Sequence, residues 1–196
     1  MKQRKISALL LTTSALGLLT VGCPPGGVGD PCTPEDEYRR NFSNFGVDEV
    51  NIESRSFQCL TRICLVNHFQ GRVSCPYGQG DPTNPETAPT DETACRVPGS
   101  RDPIGVAVAP QLKERQASKA VYCSCRCDGP DDNARYCKCP DGYSCERLVE
   151  DLGLGVGQLS GSYCVRSGTA YDELNKPAAI PCDINTRDCG EKINPQ

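Results

Sequence analysis

Residues 120–127 read Ala120-Val121-Tyr122-Cys123-Ser124-Cys125-Arg126-Cys127. Side chains of an extended strand alternate between faces, so a strand here would set its three sulfurs on one side. Asp128-Gly129-Pro130-Asp131-Asp132-Asn133 follows with residues that favour turns, and Arg135-Tyr136-Cys137-Lys138-Cys139 returns with the same alternation. The stretch predicts a hairpin whose cysteines share one face. Cysteines two apart on one strand stand about 7 Å from each other. That suits them poorly for bonding together, so partners must come from across the hairpin or from other segments.

The hairpin belongs to a chain with fifteen cysteines, an odd number. Setting Cys23 aside leaves Cys32, Cys59, Cys64, Cys75, Cys95, Cys123, Cys125, Cys127, Cys137, Cys139, Cys145, Cys164, Cys182 and Cys189 as disulfide candidates, enough for seven bridges. Their connectivity is not readable from spacing.

Cys23 sits in a different setting. The chain opens Met1-Lys2-Gln3-Arg4-Lys5, and Ile6 to Val21 carries no charge. A basic start and a short apolar core describe an export signal. The apolar run falls short of the roughly twenty residues a membrane-spanning helix needs. It ends in Leu19-Thr20-Val21-Gly22-Cys23, which resembles the lipobox of bacterial lipoproteins, with Thr20 where Leu, Val or Ile is usual. The resemblance implies a diacylglycerol on the Cys23 thiol, cleavage before Cys23, and acylation of the new N-terminus, palmitate being expected. Pro24 where relatives retained in the inner membrane carry Asp implies the outer membrane, on its periplasmic or surface face. Pro24, Pro25, Gly26, Gly27 and Gly29 form a spacer too poor in side chains to pack.

Cleavage removes Lys2, Arg4 and Lys5, taking the formal charge from −4 to −7. Such an acidic body, without a basic stripe and interleaved aromatics, excludes nucleic acid as partner. Contact with a membrane is assigned to the lipid anchor, and any protein or surface partner is left unidentified. With no Trp, seven Tyr and four Phe, and roughly 27% apolar content once leader and cysteines are removed, the core is thin for a globular domain. Ordering opposes folding by about 1–2 kcal/mol per residue, so covalent staples in an oxidising compartment are the expected remedy.

These features predict a small disulfide-rich, mainly β fold of short strands, hairpins and long loops, with one or two short helices and an N-terminal signal helix. The expected organisation is a signal peptide (1–22), a lipidated cysteine and Pro/Gly tether (23–31), an N-terminal cysteine-containing lobe (32–77), a Pro/Thr/Asp-rich loop or linker (78–94) and a C-terminal cysteine-rich lobe (95–196). Four of the candidate cysteines precede the linker and ten follow it, so separately stapled lobes are allowed. Thr33-Pro34-Glu35-Asp36-Glu37 has the form of a helix start, with Thr33 as cap and the helix reaching Asn41. Glu49 to Phe57 alternates like a strand. Arg72–Cys75 and Ile104–Val108 are further strand candidates, and Gln111–Ala120 has helical composition.

Few motifs point to chemistry. The Cys123, Cys125, Cys127, Cys137 and Cys139 thiols would suit zinc or copper, but an oxidising compartment favours disulfides. Cys137 to Cys145 faintly resembles the last turn of an EGF module. Gly153-Leu154-Gly155-Val156-Gly157 lacks the strand and helix of a dinucleotide loop and reads as flexible. Asp128, Asp131 and Asp132 lack the spacing of a calcium loop and read as a solvated turn. His68 is the one histidine and reads as a surface or structural residue. No catalytic residue is assigned: there is no Gly-x-Ser-x-Gly, no His-Glu-x-x-His and no Cys-x-x-Cys.

Three stretches, Ala120–Cys127, Cys139-Pro140-Asp141-Gly142-Tyr143-Ser144-Cys145 and Gly161-Ser162-Tyr163-Cys164-Val165, are similar to parts of cysteine-rich lipoproteins of myxobacteria-like Gram-negative bacteria. The resemblance implies a cell-surface location and brings no catalytic residues. The resulting expectation is a non-enzymatic, lipid-anchored binding or structural module without cofactor. The alternative is a lipoprotein that handles zinc or copper through the 123–139 cluster.

Overall fold

The computed structural model describes residues 27–151, 159–171 and 179–189. The signal segment, Cys23 and the Gly153–Gly157 stretch lie outside them. The described chain is mainly β, with two small antiparallel sheets, one 3-10 turn and one short helix. The first sheet has the order β1 (Val50–Glu53), β2 (Ile63–Asn67), β3 (Val121–Ser124). The second has the order β4 (Arg126–Asp128), β6 (Gly161–Arg166), β5 (Tyr143–Val149).

β2 is the centre of the first sheet, and sequence reading passed over it. Ile63-Cys64-Leu65-Val66 is a short apolar run, bounded by Arg62 and His68, both at positive φ. Such a run marks a strand buried on both faces, but periodicity alone does not separate it from other buried segments. Its faces do separate in space. Cys64 and Val66 join Phe45, Phe69, Val121 and Cys123 in one cluster. Leu65 joins Tyr122 and Val165 in another, between the two sheets. Tyr122 ties the sheets further, its hydroxyl accepting the Arg166 N–H at 2.9 Å.

The 120–127 stretch departs from the hairpin expectation. Val121–Ser124 pairs with β2, while Arg126–Asp128 pairs with β6, so the strand breaks at Cys125 and feeds both sheets. Residues 135–139 form no strand. Cys137 N–H donates to the Arg126 carbonyl at 3.0 Å and the pairing stops there. That bond lies on the edge of β4 opposite β6, which is reached through Cys164 N–H and the Cys125 carbonyl.

Other expectations shorten or fail for similar reasons. β1 ends at Glu53, the last residue it pairs with β2, opposite Cys64. The first helix is a 3-10 turn, Glu35–Tyr38, with Pro34 at the cap position and no side-chain cap bond. Thr33 is held instead by Gln58. The Gln111–Ala120 segment is helical only over Ala117–Ala120. The backbone of Gln111 is taken by bonds to Pro76 and Cys182. Ile104–Val108 and Arg72–Cys75 make isolated bridges only.

Seven disulfides staple these elements: Cys32–Cys64, Cys59–Cys123, Cys75–Cys95, Cys125–Cys137, Cys127–Cys145, Cys139–Cys164 and Cys182–Cys189. The even counts on either side of 78–94 allow separate stapling, yet Cys59–Cys123 and Cys75–Cys95 both join the two sides. β2 and β3 share a sheet across the same segment. The loop itself runs exposed from Asp81 to Ala88, turning where Asp81 and Asn84 side chains accept backbone N–H groups.

Gly161 opens β6 at φ +133°, and a Cβ there would collide with the Asp128 carbonyl. That φ belongs to glycine, and a side chain forced into it costs about 1–3 kcal/mol. Gly161→Ala should therefore lower the free energy of unfolding in denaturant by at least that amount. A loss within about 0.5 kcal/mol, the range of an ordinary surface substitution, would mean that β4 and β6 do not meet this closely.

Candidate functional site

The greatest concentration of chemistry-bearing side chains is sulfur. Sheet pairing places Cys145 of β5 opposite Cys164 of β6, while Cys164 N–H donates to the Cys125 carbonyl at 3.0 Å. Cys127 lies in β4, and the 137–139 segment crosses beside Arg126. The sulfurs gather into three trios, each within 4.8 Å: Cys125, Cys137 and Cys164; Cys127, Cys139 and Cys164; and Cys32, Cys59 and Cys123. Cys164 belongs to two of them. Its Sγ stands 3.5 Å from Cys125 Sγ and 3.7 Å from Cys137 Sγ, so the Cys125–Cys137 and Cys139–Cys164 bridges touch.

Of the five cysteines weighed as metal ligands, Cys125, Cys127, Cys137 and Cys139 come together, joined by Cys164. Cys123 goes to the first sheet, bridged to Cys59 and grouped with Cys32. Sequence spacing missed Cys164 because it is brought in by strand pairing from 25 residues beyond Cys139. A sulfur in a disulfide is not a thiolate, so these trios become soft-metal ligands only on reduction.

His68 is half-buried at the end of β2, at φ 50°. Its Nδ1 donates to the Val47 carbonyl at 3.0 Å. The ring stacks on Tyr171 with centroids 4.2 Å apart, and the Tyr171 hydroxyl donates to Asp48 at 3.0 Å. Behind it the buried Arg115 donates to three carbonyls, those of His68, Asn67 and Thr169. Burial lowers its pKa from the ordinary arginine value, against the opposing pulls of Tyr122 and Tyr171. These contacts fasten the end of β2 to the segment after β6.

The acidic turn also spends its groups locally. Asp128 accepts the Gly129 N–H and Asp131 accepts the Asn133 N–H, both at 2.9 Å. Tyr136 closes the turn through its hydroxyl and Asp131. Among the described residues, few large apolar side chains are left outside. Of these, Phe57 and Leu60 are the most exposed, at 81% and 65%, with Tyr38 and Ile180 near half.

No family model, no curated protein and no solved structure matches this chain.

Proposed function

We propose that this protein is a lipid-anchored, disulfide-stapled module of the bacterial cell envelope that binds or builds without catalysing a reaction. The observation that carries the reading is the cysteine count. Seven bridges use fourteen of the fifteen cysteines, and the fifteenth is Cys23. A chain exported to an oxidising compartment gains by spending its cysteines on bridges, while a lipobox-like pentapeptide reserves one for acylation. Several acyl chains on one residue hold durably where a single chain holds marginally. The outer membrane is the proposed location, with Cys23 as the attachment point and exposed aromatic side chains as contacts.

Intact mass of the native protein tests this. The expected result is a chain beginning at Cys23, heavier by its acyl groups and lighter by two hydrogens for each bridge. A chain of unmodified mass with its leader retained overturns the reading.

The sulfur trios around Cys164 favour a second reading, in which a reduced form holds zinc or copper through Cys125, Cys127, Cys137, Cys139 and Cys164. Thiol counting on the denatured native protein decides between the two. Absence of free thiols removes the metal reading, and reactive thiols at these positions remove the fully bridged one.

A further inference from the structure

Loop 54–62 reads Ser54-Arg55-Ser56-Phe57-Gln58-Cys59-Leu60-Thr61-Arg62 and contains no acid. Ser56 and Cys59 face inward and are buried, while Phe57 and Leu60 face out. The loop is held firmly in that shape. Ser56 N–H donates to the Arg62 carbonyl at 3.0 Å, Arg62 N–H donates to the Cys59 carbonyl at 2.9 Å, and Cys59 is bridged to β3. Arg62 lies over the Phe57 ring at 4.0 Å. Two apolar side chains are thus presented to solvent on a rigid base between two exposed arginines, in a chain whose overall charge is negative.

The place of the loop is as telling as its composition. The Gln58 side chain accepts the Thr33 N–H at 3.0 Å and donates to the Thr33 carbonyl at 2.8 Å. Cys32 is bridged to Cys64 just beyond the loop. Gly29 and Asp30 bond to Cys123, the bridge partner of Cys59. The entering chain and the Phe57–Leu60 tip are therefore fastened side by side. Cys23 precedes Gly29 by six residues, which span at most about 20 Å when fully extended. Acyl chains on Cys23 would confine the loop to the neighbourhood of the headgroups.

We propose that loop 54–62 is a membrane-contacting element: Phe57 and Leu60 enter the interface of the bilayer that holds the Cys23 acyl chains, and Arg55 and Arg62 meet its anionic headgroups. Apolar side chains with basic neighbours are the composition that lies at such an interface, and arginines close to an anionic surface are attracted to it within a Debye length. The loop pre-forms its shape, so entering the interface orders little further chain. Phe57 and Leu60 are the most exposed large apolar side chains among the described residues, and both stand on this one loop. This inference rests on the lipid-anchor reading, and its consequence is a fixed orientation of the body on the membrane.

The chain has no tryptophan, so Phe57→Trp supplies a single emission probe. The full-length lipoprotein carrying it is reconstituted into phosphatidylethanolamine–phosphatidylglycerol vesicles, with plain or brominated acyl chains, and the intact mass of the same sample is recorded. With acyl mass present, the expected result is blue-shifted emission that brominated chains quench and aqueous iodide does not. Acylated protein whose emission stays red and unquenched by bromine overturns the membrane contact and leaves the anchor standing. Absence of acyl mass overturns the anchor, and the contact falls with it. Should Phe57→Trp fail to fold, Leu60→Trp, at a second exposed position of the same tip, gives the same readout.

Discussion

Replacing Cys59 and Cys123 together by alanine should lower the stability of the oxidised protein by about 4 kcal/mol, where the same change at Cys182 and Cys189 should cost about 2 kcal/mol. The two bridges differ chiefly in the chain they close. Cys59–Cys123 joins residues 64 apart, against 7 for Cys182–Cys189. A cross-link stabilises by denying the unfolded chain its conformations, and more so for longer loops. Cys75–Cys95 lies inside the longer loop and shortens its effective length, but the dependence on length is logarithmic and the ranking survives. The longer bridge also fixes the exposed 54–62 loop to β3, and both its half-cystines are buried, at 1% and 0%. At about 2–4 °C for each kcal/mol, the midpoint of thermal unfolding under non-reducing conditions should fall by roughly 8–16 °C for the first variant and about half as far for the second. Equal losses would show that local packing, and not the unfolded chain, sets what these bridges contribute.

The bridges also explain which parts of the fold were legible in the sequence. Cysteine number, low apolar content and the many turn residues are enough to expect a stapled, mainly β body, and the described residues have that character. Strand pairing was less legible. The alternation in Ala120–Cys127 is real, but alternation reports only an extended chain and not its neighbour. The neighbours of this stretch are β2, from some sixty residues before it, and β6, from some forty after it. The nearby return segment satisfied every local condition for a hairpin, yet it meets β4 only through Cys137 N–H and the Arg126 carbonyl, while the other edge of β4 goes to β6, whose Tyr163, Cys164 and Val165 are fully buried. β2 escaped notice for a related reason: a strand buried on both faces has no polar side to alternate with. The sulfur cluster was half legible. The closely spaced cysteines from Cys125 to Cys139 announced it, while Cys164, its hub, is a tertiary fact. Phe57 was counted into an expected strand, and only the ending of β1 at Glu53 frees it to stand outside.

One polar group had no signal in the sequence, and its removal should be the other large effect. Arg72 and Glu37 have fully buried side chains. Arg72 Nη1 donates to the Phe42 carbonyl at 2.7 Å, and Nη2 donates to the Glu37 carbonyl. Glu37 in turn accepts the Val73 N–H at 2.6 Å, the Ser74 N–H at 2.9 Å and the Ser74 hydroxyl at 2.6 Å. The guanidinium is thus the clamp that holds the 3-10 turn and Phe42 against the 72–74 segment. Removing one member of a buried pair leaves a charge and its acceptors uncompensated, at about 3–5 kcal/mol, so Arg72→Met should cost that much in denaturant unfolding. The loss should also depend on pH. Burial raises the Glu37 carboxyl above its ordinary value of 4.5, while Ser74, Val73 and Arg72 pull it down, so removing Arg72 raises it further. A carboxyl raised in the folded state takes up a proton on folding. Its contribution is fully present below the unfolded value and is lost as pH rises through the folded value. The penalty of Arg72→Met should therefore be larger at neutral pH than near pH 4.5. Glu37→Gln removes the same charge and keeps one acceptor oxygen, so the double variant should lose less than the two single losses added together. A penalty independent of pH, with strictly additive losses, would mean that Arg72 acts here through packing and its carbonyl contacts, without electrostatic coupling to Glu37.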